Sequence, residues 1–283
     1  MSQPTHFDDL VSIDNTADPE LWLRMLRGMW PGDERKQSRY RDLFALLRLS
    51  SPSRVLEVGC GAGGASRLLA RSVKGVRLVV GVDPSQLAVT EAVRMSRPSR
   101  ARNSPSTSFL AMDGRHLAFA DETFDGVFCT RVLVHALEPD VIVSEMKRVL
   151  KVGGRMLLVE PDRDGMLSSV DCDHVNRAFW SDRRSVNPRI GPRLYPMLED
   201  LGLSVEHVEP AFNLSLQPPH DDQVRFLERE LRDGRGEWWT LVESGRITAD
   251  ELTAYVQALR RAVDTGVYLR SDLEIAYVAR KVA

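Results

Sequence analysis

Residues 55–64, VLEVGCGAGG, constrain the fold of this chain more than any other segment. The first four are an apolar run with the length of a buried strand, except that Glu57 lies inside it. A buried carboxylate needs hydrogen-bonding partners. Four of the six residues 59–64 are glycines, which favours a close approach of a ligand to the backbone where the strand ends.

Strand-like and helix-like segments alternate beyond this point. This alternation predicts an α/β fold with a doubly wound, mostly parallel sheet. The predicted strands are 54–58, 77–82, 109–111, 124–129 and 155–159, and the predicted helices are 64–72, 86–95 and 138–150, with a loop over 97–108.

The segments on either side of this alternation divide the chain into three predicted parts. Residues 1–50 are expected to form a helical cap, with one helix starting at Asp18 and another over 33–49. Residues 51–160 are the core. Residues 161–283 are expected to hold lid helices on the substrate side and the closing strands of the same domain. The elements predicted there are a helix near 191–201, strands at 203–209 and 272–280, and two or three helices within 220–263.

The composition excludes several functional classes. With 283 residues, a net charge of −2 and a pI near 6.3, the chain has no global attraction to nucleic acid or anionic membrane. The three cysteines lack CxxC spacing, so neither a disulfide framework nor structural zinc is expected. The N-terminus has no apolar core typical of a signal peptide, and no apolar run is long enough for a membrane span. We therefore expect a cytoplasmic protein, and the sequence leaves a homodimer open.

The glycines alone fit two kinds of ligand. GxGxxG at 59–64, with Asp83 roughly 20 residues further on, satisfies the dinucleotide pattern. GxGxG at 59–63, preceded by Glu57, fits S-adenosylmethionine equally well. A pyrophosphate favours helix-terminal amides without a nearby carboxylate. S-adenosylmethionine carries an ammonium group and a sulfonium, so Glu57 favours this second ligand.

Three further motifs point the same way: MDG at 112–114, VLVHALEP at 132–139 and RVLKVGG at 148–154. Together with Glu57, Gly59, Gly61, Gly63, Asp83 and Ser85, they make residues 54–160 resemble the class I S-adenosylmethionine-dependent methyltransferases. The resemblance is nearest to the ubiquinone/menaquinone-type and natural-product small-molecule group. It implies a Rossmann-like seven-stranded sheet of order 3-2-1-4-5-7-6, in which 272–280 is the antiparallel seventh strand.

The resemblance also implies which residues bind the cofactor. The backbone around Gly59, Cys60 and Gly61 would face the methionine part, and Glu57 would contribute to its amino end, directly or through water. Asp83 would accept both ribose hydroxyls. The residues that would flank the ribose and adenine are Pro84 and Ser85.

Further along the chain, the resemblance places the adenine and the sulfonium. Met112 would pack on the adenine ring, while Asp113 and Gly114 would hold its edge. Thr130 and Arg131 would line the sulfonium side.

Catalysis by methyl transfer depends mainly on placing the nucleophile next to the methyl group, so a general base is optional. His135, in the turn after the fourth strand, is the best candidate base, and a structural histidine is the alternative. Glu160 is interpreted either as a substrate-binding group or as a helix cap, and Asp162 is expected to be a cap. We expect no metal at Asp171–His174, because consecutive residues do not converge on one ion.

The sequence therefore predicts methyl transfer to an oxygen, carbon or nitrogen atom of a hydrophobic small molecule in specialised, natural-product biosynthesis. The expected cofactor is S-adenosyl-L-methionine, and a quinone substrate is not favoured. One alternative is an NAD(P)-dependent oxidoreductase that uses the GxGxxG pattern. Another is a protein of the same fold whose chemistry has changed to cyclisation.

Overall fold

The computed structural model describes Leu23, Arg27 and residues 34–96, 105–183 and 186–283. The predicted N-terminal helix lies outside these residues, apart from Leu23 and Arg27, which are helical. The helices are α1 (Glu34–Ala45), α2 (Gly64–Ser72), α3 (Gln86–Met95), α4 (Pro139–Val149), α5 (Asp173–Arg183), α6 (Ile190–Asp200), α7 (Asp221–Asp233), α8 (Trp239–Glu243) and α9 (Ala249–Thr265). The strands are β1 (Ser53–Val58), β2 (Val76–Asp83), β3 (Ser106–Ala111), β4 (Phe124–Thr130), β5 (Leu150–Ser168), β6 (Leu203–Ser215) and β7 (Arg270–Lys281).

The seven strands form one sheet of order β3-β2-β1-β4-β5-β7-β6, which confirms the predicted order. β1 pairs in parallel with β2 and β4, β2 with β3, and β4 with β5. Glu57 lies opposite Gly81 of β2 and Phe128 of β4. The carboxyl ends of β1, β2 and β4 therefore lie at one edge of the sheet.

All seven strands extend beyond their predicted bounds, most of all β5 and β6. β3 begins at Ser106 rather than at residue 109, β5 covers nineteen residues, and β6 runs to Ser215. The polar segment after Glu160 has no strand pattern of its own. A Cβ on Gly165 would lie 2.5 Å from Cδ2 of Leu273, so a neighbouring strand passes close to β5 at this glycine. Such pairing between distant segments decides the ends of these strands, and local sequence does not record it.

The first of two compact units contains the described residues up to Glu160, together with Pro192–Glu209 and Ala276–Ala283. One face of α1 and the turn after it is apolar and buried, since Tyr40, Leu43, Phe44 and Leu47 are at most 4% exposed. They pack in one core with residues of β1, β4, β5 and β7. The ring of Phe44 meets that of Phe128 edge-on, with centroids 5.2 Å apart.

The second unit consists of Pro161–Gly191 and Pro210–Ile275 and has a helical core of its own. Three aromatic rings are stacked in it. The ring centroids of Phe179 and Trp238 are 3.9 Å apart, and those of Trp238 and Tyr255 are 5.5 Å apart. Phe179 and Tyr255 are buried. These rings therefore pack as core residues of the unit.

Across the described part of the chain, every helix is too short or too polar to cross a membrane.

The burial of Phe44 predicts a large loss of stability on truncation. Phe44→Ala should lower the free energy of unfolding by about 3–5 kcal/mol, because it leaves a cavity between α1 and the sheet. Urea denaturation measures this change. Phe226→Ala is the control, since Phe226 is 45% exposed and its truncation should cost far less. Equal losses in the two variants would contradict the packing of α1 described above.

Candidate functional site

The candidate site lies at the carboxyl ends of β1, β2 and β4. Val58, at the end of β1, is opposite Val82 and Cys129 in the two neighbouring strands. In open α/β sheets, ligands bind in the crevice beyond the carboxyl ends of the strands. The turns that follow these three strands carry most of the residues that the sequence singled out.

The backbone of the glycine turn after β1 has a conformation that disfavours residues with side chains. Gly59, Gly61 and Gly63 have φ values of +74°, +49° and +72°, which are in the left-handed region. A Cβ on Gly59 would lie 2.1 Å from Cγ2 of Val132, so the Val132 side chain lies directly against this glycine. The amides of Gly59 and Cys60 both donate to the carbonyl of Val82, at 2.8 and 2.9 Å. Two of the amides predicted to face a ligand are thus bonded to β2.

Glu57 is buried at the end of β1, and only 1% of it is exposed. Its Oε2 accepts the backbone amide of Ser66 at 2.9 Å and also the Ser66 hydroxyl. Burial raises the pKa of Glu57 to about 8, although the hydrogen bonds from Ser66 oppose this shift. The hydrogen-bonding partner expected for this buried carboxylate is therefore Ser66, in the first turn of α2.

Asp83, at the end of β2, connects two turns. Its Oδ2 accepts the amide of Gly61 at 2.8 Å, and its Oδ1 accepts the amide of Ser85 at 3.0 Å. The Asp83 carbonyl accepts the amide of Met112 at 3.0 Å, which connects this strand end to the turn after β3. The carboxylate is held in a fixed orientation beside the glycine turn.

Ser85 caps α3. Its hydroxyl accepts the amide of Ala88 at 3.1 Å, and the residue is 1% exposed. The side chain predicted to flank a ribose is thus used by the helix, whereas Pro84 beside it is half-buried.

Asp113, after β3, is paired with Arg115. Both carboxylate oxygens accept from the guanidinium, the shortest contact being 2.7 Å, and Oδ1 also accepts the Arg115 amide at 2.9 Å. Burial alone would raise the pKa of Asp113, but the bonds from Arg115 outweigh it and lower this pKa. Gly114 is buried, and a Cβ there would lie 2.8 Å from Cγ1 of Val58. Arg115 also contacts Glu138 at 3.1 Å.

The turn after β4 is organised by Glu160, which lies on β5 and is fully buried. Its Oε1 accepts the amides of Val132 and Leu133, both at 2.9 Å, and its Oε2 accepts the amide of Val134 at 3.1 Å. Burial raises the pKa of Glu160 to about 7, against the effect of these three amides. Glu160 lies within β5, so its predicted role as a helix cap is wrong, and its carboxylate binds the turn after β4 instead.

His135 ends the 3₁₀ turn Leu133–His135 that Glu160 holds, and it is half-buried. Thr130 and Arg131 precede this turn. Arg131 has a φ of +61°, a strained value for a residue with a side chain, and its amide donates to the Val159 carbonyl at 2.8 Å. The predicted sulfonium-side residues and the candidate base therefore belong to one short segment of fixed geometry.

Other candidates from the sequence have local roles. Asp162 lies within β5 and accepts the amide of Asp164, so its predicted role as a helix cap is wrong. Cys60 is 5% exposed and packs with Val89 and Phe109.

Asp171, Asp173 and His174 each have a separate side-chain partner. Asp171 contacts Arg261 at 3.3 Å, and Asp173 contacts Arg177 at 3.5 Å. His174 contacts Glu251 at 3.1 Å.

Sequence reasoning missed Ser66, Arg115 and Val132. Ser66 lies nine residues after Glu57, in the first turn of the predicted helix, where its amide and hydroxyl could have been paired with the buried acid. Arg115 is two residues from Asp113, which is a signal for a local ion pair. The packing of Val132 against Gly59 joins distant segments, so the sequence carries no signal for it.

Residues 56–158 match the family model described as a methyltransferase domain. This range covers the second half of β1, all of β2 to β4 and the first part of β5, together with the turns after β1, β2, β3 and β4. Glu160 lies two residues beyond it. The match does not favour the dinucleotide interpretation of the glycines.

Similar proteins agree with the family match. The chain is 30% identical to Methyltransferase GfsG of Streptomyces halstedii, over 50% of this chain and 52% of that protein. It is 34% identical to the S-adenosyl-L-methionine-dependent Diels-Alderase iccD of Talaromyces variabilis, over 48% of this chain and 47% of that protein. The chain spans about half the length of these curated relatives.

A solved structure confirms the fold. Geranyl diphosphate C-methyltransferase from Streptomyces coelicolor A3(2), in complex with Mg²⁺, geranyl diphosphate and S-adenosyl-L-homocysteine, has a TM-score of 0.54 to this chain. The two are 16% identical, and the match covers 87% of this chain and 79% of that one.

The raised pKa of Glu57 predicts how stability depends on pH. The pKa of Glu57 is about 8 in the folded protein and 4.5 in the unfolded chain. The contribution of Glu57 to the stability of the folded state is therefore complete at low pH and is lost as the pH rises through 8. Between pH 5 and 8, the free energy of unfolding should fall by up to about 1.4 kcal/mol per pH unit for this one group.

Glu57→Gln should remove that part of the slope, as measured by urea denaturation at several pH values. Glu243→Gln, on an exposed glutamate of α8, is the control and should leave the slope as it is in the wild type. A wild-type slope in Glu57→Gln would contradict the shift.

Proposed function

We propose that this chain, in which residues 56–158 are a domain of the class I S-adenosylmethionine-dependent methyltransferases, transfers a methyl group from S-adenosylmethionine to a small molecule. The observation that carries this proposal is the set of turns at one edge of the sheet. Glu57, the glycine turn and Asp83 meet there on strands of the matched domain.

The chemistry of Asp83 fits a ribose. Two backbone amides orient its carboxylate, and a carboxylate can accept roughly four hydrogen bonds. Two neighbouring ribose hydroxyls can therefore bind without a change of its rotamer.

The glycine turn and Glu57 fit the methionine part. A side chain at Gly59 would collide with Val132. Because glycine has no Cβ, the backbone of this turn can lie close to neighbouring groups such as Val132. Glu57 lies directly behind the turn, with Ser66 as its partner. An ammonium group near the turn would favour the ionised form of Glu57 and lower its raised pKa.

The turn after β3 supports adenine binding. Met112 offers an apolar side chain for a ring face, and the buried Gly114 allows the turn to lie against Val58. Arg115 holds the Asp113 carboxylate in place, so the acceptor for an adenine amino group has a fixed position.

S-adenosylmethionine, when bound, supplies a methyl group activated by the sulfonium. The chain then has to hold the acceptor in line and exclude water, which can lower the barrier by about 7–11 kcal/mol. Thr130 and Arg131 would line that side. His135 would remove the proton when the acceptor must lose one, because a histidine near neutral pH suits this task.

For the acceptor, we propose an oxygen, carbon or nitrogen atom of a hydrophobic metabolite in specialised biosynthesis. The named relatives support this class, since GfsG is a methyltransferase and the Streptomyces coelicolor enzyme is solved with geranyl diphosphate.

Asp83→Asn tests the cofactor site. The variant keeps the shape of the side chain but replaces one acceptor oxygen with a donor, so the affinity for S-adenosylhomocysteine should fall by about one to two orders of magnitude in calorimetry. Asp125→Asn is the control. Asp125 also accepts a backbone amide, that of Arg54, but at the start of β1. Equal affinities of Asp83→Asn and wild type would refute the assignment.

His135→Ala tests the base. Its rate of methyl transfer to hydroxylated acceptors should fall by roughly 10²–10⁴-fold, while its affinity for S-adenosylhomocysteine stays unchanged. Mass spectrometry of the product checks the reaction type. A product heavier by one methyl in place of a hydrogen supports methyl transfer, whereas an isomer of the substrate would indicate cyclisation. A rate within twofold of wild type would remove His135 as the base.

A further inference from the structure

Glu160 makes contacts that reach beyond its own strand. Its two carboxylate oxygens accept three consecutive amides, those of Val132, Leu133 and Val134. The thiol of Cys129 lies 3.8 Å from Oε1. All of these donors belong to the end of β4 and the turn after it. One fully buried side chain therefore fixes the backbone of this turn.

Val132 contacts both Glu160 and the glycine turn. Its amide is held by Glu160, and its Cγ2 would be 2.1 Å from a Cβ on Gly59. The Val132 side chain thus lies against the α-carbon of Gly59. Gly59 and Cys60 are held on the other side by the Val82 carbonyl. The glycine turn is enclosed between β2 and a valine whose backbone Glu160 fixes.

We propose that Glu160 is a positioning residue that acts through Val132 to set the conformation of the glycine turn at residues 59–63. Its influence on cofactor affinity rests on the proposed function, since this turn is the proposed methionine site. Its influence on the turn itself can be measured without any ligand.

The hydrogen-bond chemistry of Glu160 provides an isosteric probe. All three backbone partners are donors, so both oxygens of Glu160 must accept. In Glu160→Gln, the side-chain oxygen can take the place of only one of the two carboxylate oxygens. The NH₂ group takes the place of the other and then faces a backbone N–H, to which it cannot bond as an acceptor. At least one buried amide then loses its acceptor, which loosens the turn without changing the volume of the side chain.

Glu230 supplies a matched control. It is a buried glutamate of the second unit, and its oxygens accept the amides of Glu237 and Trp238 at 3.0 and 2.9 Å. Glu230→Gln therefore creates the same chemical defect on a different turn. Val132→Ala is the complementary variant, since it keeps the amide that Glu160 binds and removes the methyl groups that touch Gly59.

Amide hydrogen exchange of the ligand-free protein tests the proposal. Glu160→Gln should speed exchange by at least about tenfold at residues 132–134 and at Gly59 and Cys60. Val132→Ala should speed exchange at Gly59 and Cys60 in the same way. Glu230→Gln should speed exchange at Glu237 and Trp238 but leave Gly59 and Cys60 as in the wild type. Wild-type exchange at Gly59 and Cys60 in both Glu160→Gln and Val132→Ala would overturn the proposal.

Calorimetry with S-adenosylhomocysteine separates this proposal from the proposed function. Glu160→Gln should bind at least about tenfold more weakly than Glu230→Gln when the two have lost similar thermal stability. Equal affinities of these two variants would overturn the link to the cofactor site. If the wild type itself fails to bind, the proposed function is wrong, and the exchange measurement still decides whether Glu160 positions the turn.

Discussion

The site depends on one kind of interaction: carboxylates on parallel strands that accept backbone amides of the turns at one edge of the sheet. Glu57 binds the start of α2, Asp83 binds the glycine turn and the start of α3, and Glu160 binds the turn after β4. Turns at this edge leave amides without partners in the sheet, and buried amides need acceptors. Each acid meets that need and fixes the turn that it binds.

This arrangement also explains the electrostatics of the site. Glu57 and Glu160 are nearly or fully buried, and burial raises the pKa of both. The hydrogen bonds from their amide partners oppose part of this rise in pKa. A ligand with positive charge nearby would favour the ionised forms of both groups and lower their raised pKa values. The hydrogen bonds thus fix the conformation of these turns before any ligand binds.

Much of this could be predicted from the sequence, because the signals are local. The apolar run before the glycine turn defines β1, helical spacing defines the buried face with Phe44, and the motifs that resemble a known family imply the strand order. The partners of the acids were mostly not predicted. Glu160 and residues 132–134 are distant in sequence, so only the paired strands bring them together. The lengths of β5 and β6 were also underestimated, because sheet pairing rather than residue preference sets them.

A crystal structure of the protein with S-adenosylhomocysteine would test this account most directly. We predict the ribose on the carboxylate of Asp83, with the amides of Gly61 and Ser85 still bonded to the same group, and the amino acid part beside Gly59–Gly63. A structure in which the ligand binds elsewhere while these turns keep their conformation would contradict the account.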